Sequence, residues 1–466
     1  MEEESRLSNA SEPLPLRPGA SWRTTLRLCM AIFFVAFVVY MISPVVTSFG
    51  TSGSVFVSAS LIHEGNTNLD EYPEWLAQSP GFAENIRGSY YPRFSIGASA
   101  IAAPFVLVVD RALEPLCVVI PPLRRFLLGR EPKPDEKVTA TSVYSTTEKI
   151  VASAMTALSA VVLFFVFLRS LSIPYALVLV FTFAFCTSAW SFLTRALWSD
   201  GPSVLMLSLT LLLVVSSEKR PFLIQFASVP LAISYVVLPA NAISVILLSL
   251  YVVLRHRRYF VYYLGWGVLA VVPFAMRNIA VYHTALPQYY LVGLRISADY
   301  LAGLAGALIS PGRGLFVFCP VFLLCIYGIV MRIRSKQLNM LEKMICLILI
   351  LHWAMISTTG AWRGGHCFGP RSFSDMLPYL MCFLIPVVRD IQTGGTARKI
   401  VLGGVYGILA TISLAIHSTG AFSYHTVYWN ATPQDISVAR SRLWDWRDLQ
   451  FLRPYAERRK AREALR

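Results

Sequence analysis

The sequence TGAWRGGHCFGPRSFSD, residues 359 to 375, lies between two strongly apolar runs and combines glycines with two arginines, a histidine and an aspartate. Glycine allows tight turns and close approach of the backbone to a ligand, and arginine presents a planar fork that fits phosphate or carboxylate. The stretch therefore favours an anion site at a membrane surface. The alternative is an ordinary interfacial loop, with Trp362 anchored at the headgroups and the arginines paired with lipid phosphates.

The composition bounds the class of protein. The 466 residues are 55% hydrophobic and 14% charged, which excludes an ordinary soluble protein and indicates an all-α polytopic membrane protein. Much of the formal net charge of +15 lies in short loops between apolar runs. Membrane lipids and lipid-linked phosphates are thus the expected partners, with no nucleic acid.

Apolar runs and the positive-inside rule predict the organisation of the chain. The apolar runs indicate a bundle of about 11 to 12 transmembrane helices. A second span at 95–109 precedes a basic stretch that the rule assigns to the cytoplasm. The predicted parts are a cytoplasmic segment at 1–25, a transmembrane domain at 26–418, a large first external loop with short interfacial helices at 49–94, and an external amphipathic tail at 419–466.

Two topologies remain open between residues 150 and 254. If every apolar run crosses once, Arg195 to Asp200 lie inside and Lys219 lies outside. If residues 222–254 form a hairpin broken at Pro239, the reverse holds, and all the basic loops fall on the cytoplasmic side. The second topology is favoured, although it requires one of the two preceding runs to be re-entrant.

Several blocks of the sequence together resemble one family. They are SLIHEGNTNLDEYP (60–73), YYPRFSIGASAIAAPF (90–105), TRALWSDGPS (194–203), LPANA (238–242), SPGRGLFVFCPV (310–321), AWRGGHCFGPRSFSDMLP (361–378) and RLWDWRDLQFLR (442–453). Their order, and the pattern W-x-G-G-x-x-x-G-P-R-x-x-x-D within residues 362–375, resemble bacterial multi-pass members of the GT-C superfamily of membrane glycosyltransferases.

This resemblance implies a GT-C-like bundle that transfers a sugar from a polyprenyl-phosphate donor at the extracytoplasmic face, with inversion at the sugar carbon. A carboxylate would activate the acceptor, and cations would stabilise the departing lipid phosphate. Asp70 and Glu71 are the catalytic candidates in the first external loop. The candidates for substrate or phosphate binding are Arg93, Arg195, Asp200, Arg313, Trp362, His366, Arg371 and Asp375.

One position departs from the family pattern. Members commonly carry an acid soon after the first span, whereas the matching segment here ends at Ser54. Either Asp70 or Glu71 has replaced that acid, or the chain has lost activity. The resemblance assigns no certain cofactor, and a divalent metal ion held by loop acids is one option.

Several candidates also have a structural explanation. Asp70 and Glu71 fit caps of the helix that the sequence EYPEWLA (71–77) suggests. His366 next to glycine fits a hydrogen-bonding residue better than a metal ligand. Arg371 and Asp375, four residues apart, fit a local ion pair. Arg195 and Asp200 flank long apolar runs, where charge is costly, and a site role is favoured.

The resulting prediction is a multi-pass glycosyltransferase in a bacterial inner or plasma membrane, or in the endoplasmic reticulum membrane of a eukaryote. Its partners would be a polyprenyl-phosphate sugar and a glycan, lipid or protein acceptor. Two other classes fit the same features. A transporter or flippase would use intramembrane arginines and broken helices, and a non-catalytic member would bind a lipid-linked saccharide without transfer.

Overall fold

The computed structural model describes residues 22–48, 51, 53–79, 81–133, 136–285 and 299–464. Within these ranges the fold is helical, apart from one antiparallel hairpin of β1 (Ala83–Ile86) and β2 (Ser89–Pro92). The predicted all-α class is confirmed. Residues 1–21 of the predicted N-terminal segment lie outside the described residues, and the first helix begins at Trp22.

Seven helices in the described part of the chain are long and apolar enough to cross a membrane. They are Trp22–Ile42, Tyr144–Phe167, Asp200–Ser217, Arg257–Tyr282, Met340–Thr358, Arg371–Thr393 and Thr396–Phe422. Shorter apolar helices are Gly53–His63, Ile173–Phe185, Pro221–Val237, Pro239–Arg255 and Tyr300–Ile309. The remaining helices are Pro73–Gln78, Gly97–Val119, Pro121–Leu128, Leu315–Phe318, Leu323–Arg334, His425–Tyr428 and Arg453–Ala464. The polytopic membrane class is therefore confirmed, while the predicted helix count and the GT-C arrangement stay predictions.

One end of the bundle, which we call the loop end, holds residues 359–375. Buried cations attach the first helix to this end, because Lys149 Nζ lies 2.7 Å and Arg195 Nη1 3.1 Å from the Ser43 carbonyl oxygen. The Tyr424 hydroxyl, just after the last long helix, donates to the Pro44 carbonyl at 3.0 Å. The chain therefore returns to the loop end at several separate points.

The opposite end, which we call the basic end, joins the other helix termini. Arg169 Nη2 donates to Ser216 Oγ at 2.8 Å, and Arg332 pairs with Glu342 at 2.9 Å. This end also carries the basic loops near Lys219, Arg255 to Arg258 and Arg389 to Lys399. The positive-inside rule predicts that the basic end faces the cytoplasm and the loop end the outside, and this sidedness stays a prediction.

The structure favours the broken hairpin over the single crossing at 222–254. Helices Ser228–Val237 and Ala242–Arg255 are separated by the turn Pro239–Asn241. Asn241 Nδ2 donates to the Ser234 carbonyl at 3.0 Å, and so satisfies backbone left open by the break. Asp200 lies close to Arg371, so the segment before helix Asp200–Ser217 is at the loop end, as the hairpin topology requires.

The predicted second span at 95–109 differs from the structure. Helix Gly97–Val119 carries Asp110 and Glu114, which accept backbone hydrogen bonds from Ala140 at 2.7 Å and Val138 at 2.8 Å. Because these residues lie just before helix Tyr144–Phe167, which starts at the loop end, the described residues of 120–133 and 136–143 do not extend to the basic end. The described residues between the first long helix and Tyr144 stay at the loop end, and no re-entrant run is needed.

The first external segment is consequently larger and more buried than predicted. Helix Gly53–His63 is mostly buried and lies against Gly97–Val119 instead of flat on a bilayer. Only the short helix Pro73–Gln78 and the β1–β2 hairpin correspond to the interfacial elements expected at 49–94. The apolar character of Gly53–His63 permits this burial, but periodicity alone does not identify its partner.

Candidate functional site

Glycines shape the loop between Met340–Thr358 and Arg371–Thr393. Gly364 and Gly369 have φ of +67° and +65°, a region that side chains disfavour. A Cβ at Gly369 would also lie 2.7 Å from the Phe318 ring. The loop therefore folds back tightly and buries Trp362, whose ring lies against Gly303 and Gly306. Trp362 is an internal anchor, which differs from the predicted headgroup or substrate contact.

Arg313 lies beneath this loop and is 1% exposed. Its five N–H groups make five hydrogen bonds, all to neutral acceptors, at 2.7 to 3.1 Å. The acceptors are the carbonyl oxygens of Gly312, Arg363 and Gly365, Gln450 Oε1 and Asn430 Oδ1. Because guanidinium has five donors, none remains for a ligand. The predicted phosphate role of Arg313 does not fit this geometry, and Arg313 holds the loop in place.

The C-terminal segment completes the same network. Gln450 is fully buried, and its Nε2 donates to the carbonyl oxygens of Cys367 at 2.9 Å and Thr426 at 2.8 Å. The predicted amphipathic tail is thus part of the folded loop end. The stretch RLWDWRDLQFLR forms the 3₁₀ turns Arg440–Trp444 and Gln450–Leu452 instead of an interfacial helix.

A cavity of about 620 Å³, which we call the central cavity, opens beside the loop. It lies where the N-terminus of helix Asp200–Ser217 meets the C-terminal part of Met340–Thr358 and the start of Gly97–Val119. The residues that matter for its chemistry are Ser54, Trp198, Asp200, His352, Arg371 and Asp375. Three predicted site residues, from two distant parts of the sequence, therefore share one cavity.

Arg371 is the cation best placed to bind a ligand in this cavity. Its side chain is 30% exposed, and its guanidinium carbon lies 4.1 Å from the centre of the Trp198 ring. Nε is 3.7 Å from Asp200 Oδ2, and Nη1 makes a long bond of 3.4 Å to the Gly364 carbonyl. A guanidinium with so few close partners can offer several donors to a phosphate. Arg363 also lines the cavity and pairs with Asp299 at 3.1 Å.

Two carboxylates and a histidine lie in the wall of the cavity. Asp200 and Asp375 are 6% and 2% exposed, so both are shielded from bulk water. His352 Nε2 lies 3.7 Å from Asp375 Oδ1 and 2.8 Å from the Ser372 carbonyl oxygen. Arg371 therefore faces Asp200 rather than Asp375, contrary to the local ion pair that their spacing suggests. Buried carboxylates without full hydrogen bonding are costly and concentrate at functional sites.

The two predicted catalytic acids lie elsewhere. Asp70 is exposed, accepts a hydrogen bond from the Tyr90 backbone at 2.8 Å, and borders a separate cavity near the hairpin. Glu71 Oε1 accepts from Asn66 Nδ2 at 3.2 Å. Neither residue lines the central cavity. Their catalytic role stays a prediction that this arrangement does not support.

The other predicted binding residues also lie outside the cavity. Arg93 is exposed, next to the hairpin. Arg195 is fully buried, and its donors reach the carbonyl oxygens of Tyr40 in the last turn of the first helix and of Ser43 and Val45 just after it, so its role is structural.

The His366 side chain contacts the C-terminal tail instead of taking part in a metal site. Its Nε2 lies 3.0 Å from Asp435, and hydrogen bonds from His366 and from the Ser437 backbone lower the pKa of Asp435 to about 2. Among the described residues, no group of three or more His, Cys, Asp or Glu side chains has the arrangement of a metal site. The residues present do not fit the divalent metal ion that the resemblance allows.

Sequence reasoning missed two buried groups at this site. His352 is one, and Glu148 is the other, because Glu148 Oε2 accepts from Thr51 Oγ1 at 2.9 Å behind the cavity wall. His352 stands within an apolar run, and Glu148 lies in the polar stretch STTEK (145–149) at the start of one. The rule that ionisable groups inside membrane segments are usually functional applies to both and gives the signal by which to find them.

Neither a scan of protein-family models nor a search of curated proteins finds a match for this chain. The fold and the site define a polytopic helical membrane protein with a charged cavity at one end of its bundle.

Proposed function

We propose that the protein is a membrane glycosyltransferase that moves a sugar from a polyprenyl-phosphate donor to an acceptor at the loop end of the bundle. The observation that carries the proposal is the partly exposed Arg371 in a cavity of about 620 Å³ that also holds two buried carboxylates. A cation beside carboxylates matches what glycosyl transfer needs, namely stabilisation of the leaving phosphate and polar contacts to the sugar.

Arg371 binds the donor phosphate in this proposal. Trp198 fixes the guanidinium plane by stacking at 4.1 Å, and Asp200 orients it from the side at 3.7 Å. The outward N–H groups then meet two phosphate oxygens together, which lysine cannot do with the same geometry. As the bond to the sugar breaks, negative charge grows on the phosphate, so this contact strengthens towards the transition state.

The rest of the cavity suits a sugar. Carboxylate oxygens accept hydrogen bonds from hydroxyl groups, and Asp200 and Asp375 present such oxygens. The rings of Phe82, Phe94 and Trp198 also line the cavity and supply apolar surface. Few precise polar groups within a mostly apolar cavity are typical of small-ligand sites.

One observation favours a second candidate. Ser54 lines the cavity at the position where the resembling family commonly has an acid. A member without that acid would bind a lipid-linked saccharide without transferring it. This non-catalytic protein would keep the Arg371 contact and release no lipid phosphate.

The deciding experiment is a transfer assay with purified protein in lipid nanodiscs. A panel of polyprenyl-phosphate sugars is offered with a mixed glycan and lipid acceptor fraction, and release of lipid phosphate is followed beside donor binding. We expect release with at least one donor, and about 10- to 100-fold weaker donor binding in Arg371→Ala, as expected for a charge-assisted hydrogen bond.

Arg398→Ala is the matched control, because Arg398 pairs with Asp390 at the basic end, far from the cavity. It should bind and react like the wild type. Binding of donors without release would replace the enzyme by the non-catalytic protein. Donor binding that is equal in wild type and Arg371→Ala would overturn the assignment of the phosphate site.

A further inference from the structure

His352 occupies an unusual position for a histidine in a membrane-spanning helix. It lies in the second half of Met340–Thr358, is 2% exposed, and yet lines the central cavity. The residues around it in the sequence, ILHWAMI, are otherwise apolar. A buried polar group in such a helix normally has a partner for each polar atom. His352 satisfies only one of its two ring nitrogens.

The single partner fixes the tautomer of the ring. Nε2 lies 2.8 Å from the Ser372 carbonyl oxygen, which can only accept, so Nε2 carries the proton. In the neutral ring Nδ1 then holds a lone pair. Nδ1 is buried and has no hydrogen-bond partner among the described residues. The cavity wall thus contains a proton acceptor without a partner, which its neighbours cover and which an acceptor hydroxyl must uncover in order to reach it.

Asp375 stands behind the same ring. Its Oδ1 is 3.7 Å from His352 Nε2, beyond hydrogen-bond length but close enough to stabilise a positive ring. Its Oδ2 is buried and, within the described residues, also lacks a hydrogen-bond partner. The carboxylate belongs to the turn Arg371–Met376, as does Ser372, so one short segment holds both groups that face Nε2.

We infer that His352 is the general base that activates the acceptor, and that Asp375 and Ser372 are the residues that position it. This inference rests on the proposed glycosyl transfer. The acceptor hydroxyl gives its proton to His352 Nδ1 while its oxygen forms the bond to the sugar carbon. The bond from that carbon to the phosphate oxygen breaks, and the electron pair leaves on the lipid phosphate beside Arg371.

The charges remain balanced through this step. The imidazolium forms 3.7 Å from Asp375, and the phosphate charge forms against a guanidinium. The proton on Nδ1 afterwards passes to water. Asp200 is the less suitable base because it already faces Arg371 at 3.7 Å. Ser54, on the other wall, has no basic group.

The test measures turnover and donor binding separately in His352→Gln. A glutamine amide can still donate to the Ser372 carbonyl, but it supplies no base. We expect kcat to fall by about 10²- to 10⁴-fold, the range for loss of a general base, with donor binding within about 3-fold of wild type. Asp375→Asn should lower kcat less. His256→Gln, at the basic end beside Ser217, is the control and should keep full turnover.

Chemical rescue separates catalysis from structure. In His352→Ala, added imidazole should fill the space and restore part of the rate in a concentration-dependent way, which a merely structural histidine would not allow. If wild type transfers and His352→Gln keeps more than about a third of its rate, the base is wrong and the proposed function stands. If wild type releases lipid phosphate from no donor, both proposals fail.

Discussion

Arg313 and Arg371 lie in neighbouring parts of the loop end and differ in what their side chains have left to offer. Arg313 donates all five of its hydrogen bonds to the loop, the tail and the neighbouring Gly312 carbonyl, whereas Arg371 makes one long hydrogen bond and lies over Trp198. Both follow a Gly-Pro or Pro-Gly pair in the sequence, and both are predicted phosphate holders. The number of unused donors, which only the fold reveals, separates an anchor from a binding residue.

Replacing each arginine by lysine tests this contrast. Arg313→Lys should cause the largest loss of stability of the variants proposed here. Arg313→Lys replaces five fixed donors by three on a flexible stem, so at least two buried acceptors lose their partner. We expect a loss of about 3 kcal/mol in unfolding free energy. Thermal unfolding in detergent, together with protease cleavage of the tail, measures it.

Arg371→Lys is the matched control for this prediction. It keeps a positive charge beside Asp200, so unfolding free energy should fall by less than about 1 kcal/mol, while donor binding weakens. Equal loss of stability in the two variants, or normal donor binding in Arg371→Lys, would contradict the division between anchor and binding residue.

Much of the helical framework could be predicted from the sequence, because apolar runs and Pro239 leave direct signals. The break in 222–254 occurs at the predicted proline. The sequence does not predict that helix Gly97–Val119 fails to cross to the basic end, since two of its carboxylates accept hydrogen bonds from residues 24 and 30 positions further along the chain. The basic stretch after it resembles a cytoplasmic loop locally, and only these contacts exclude a crossing.

The candidate site likewise has residues that the sequence identifies and roles that only the fold reveals. Arg371, Asp375 and Asp200 carry signals in sequence, and the structure brings them to one cavity. The role of Arg313 depends on Asn430 and Gln450, which are 117 and 137 residues away. No local sequence pattern indicates how many of the Arg313 N–H groups donate to such distant partners. His352 could have been found as an ionisable residue within an apolar run. That Nε2 has a partner and Nδ1 has none follows from the position of the Ser372 carbonyl, which only the fold shows.

Removing Gln450 sharpens the comparison from the side of the tail. Gln450→Ala deletes both donors to the Cys367 and Thr426 carbonyls and an acceptor of Arg313. We expect a loss of about 1 to 3 kcal/mol, less than in Arg313→Lys because Arg313 keeps its other partners. Thermal unfolding checks the value. Gln392→Ala, whose side chain accepts from exposed Ser172 at the basic end, should change stability by less than about 0.5 kcal/mol.

The smallest effect concerns pH, and it distinguishes two attachments of the tail. The pKa of Asp435 is held at about 2 by hydrogen bonds from Ser437 and His366, below the ordinary value of about 3.9. A lowered pKa stabilises the attachment fully above about pH 4, and this contribution is lost as pH falls through about 2. The Arg313–Gln450 network contains no carboxylate and should persist.

A spin label at Val438→Cys, an exposed position, should therefore gain mobility between about pH 4.5 and about pH 2, the window that these two pKa values set. The tail should stay protected around Gln450. In Asp435→Asn the label should be equally mobile throughout this range, because the neutral amide lacks the titrating charge. A pH response unchanged by Asp435→Asn would mean that another group releases this part of the tail, and simultaneous release of Gln450 would mean that the two attachments act as one.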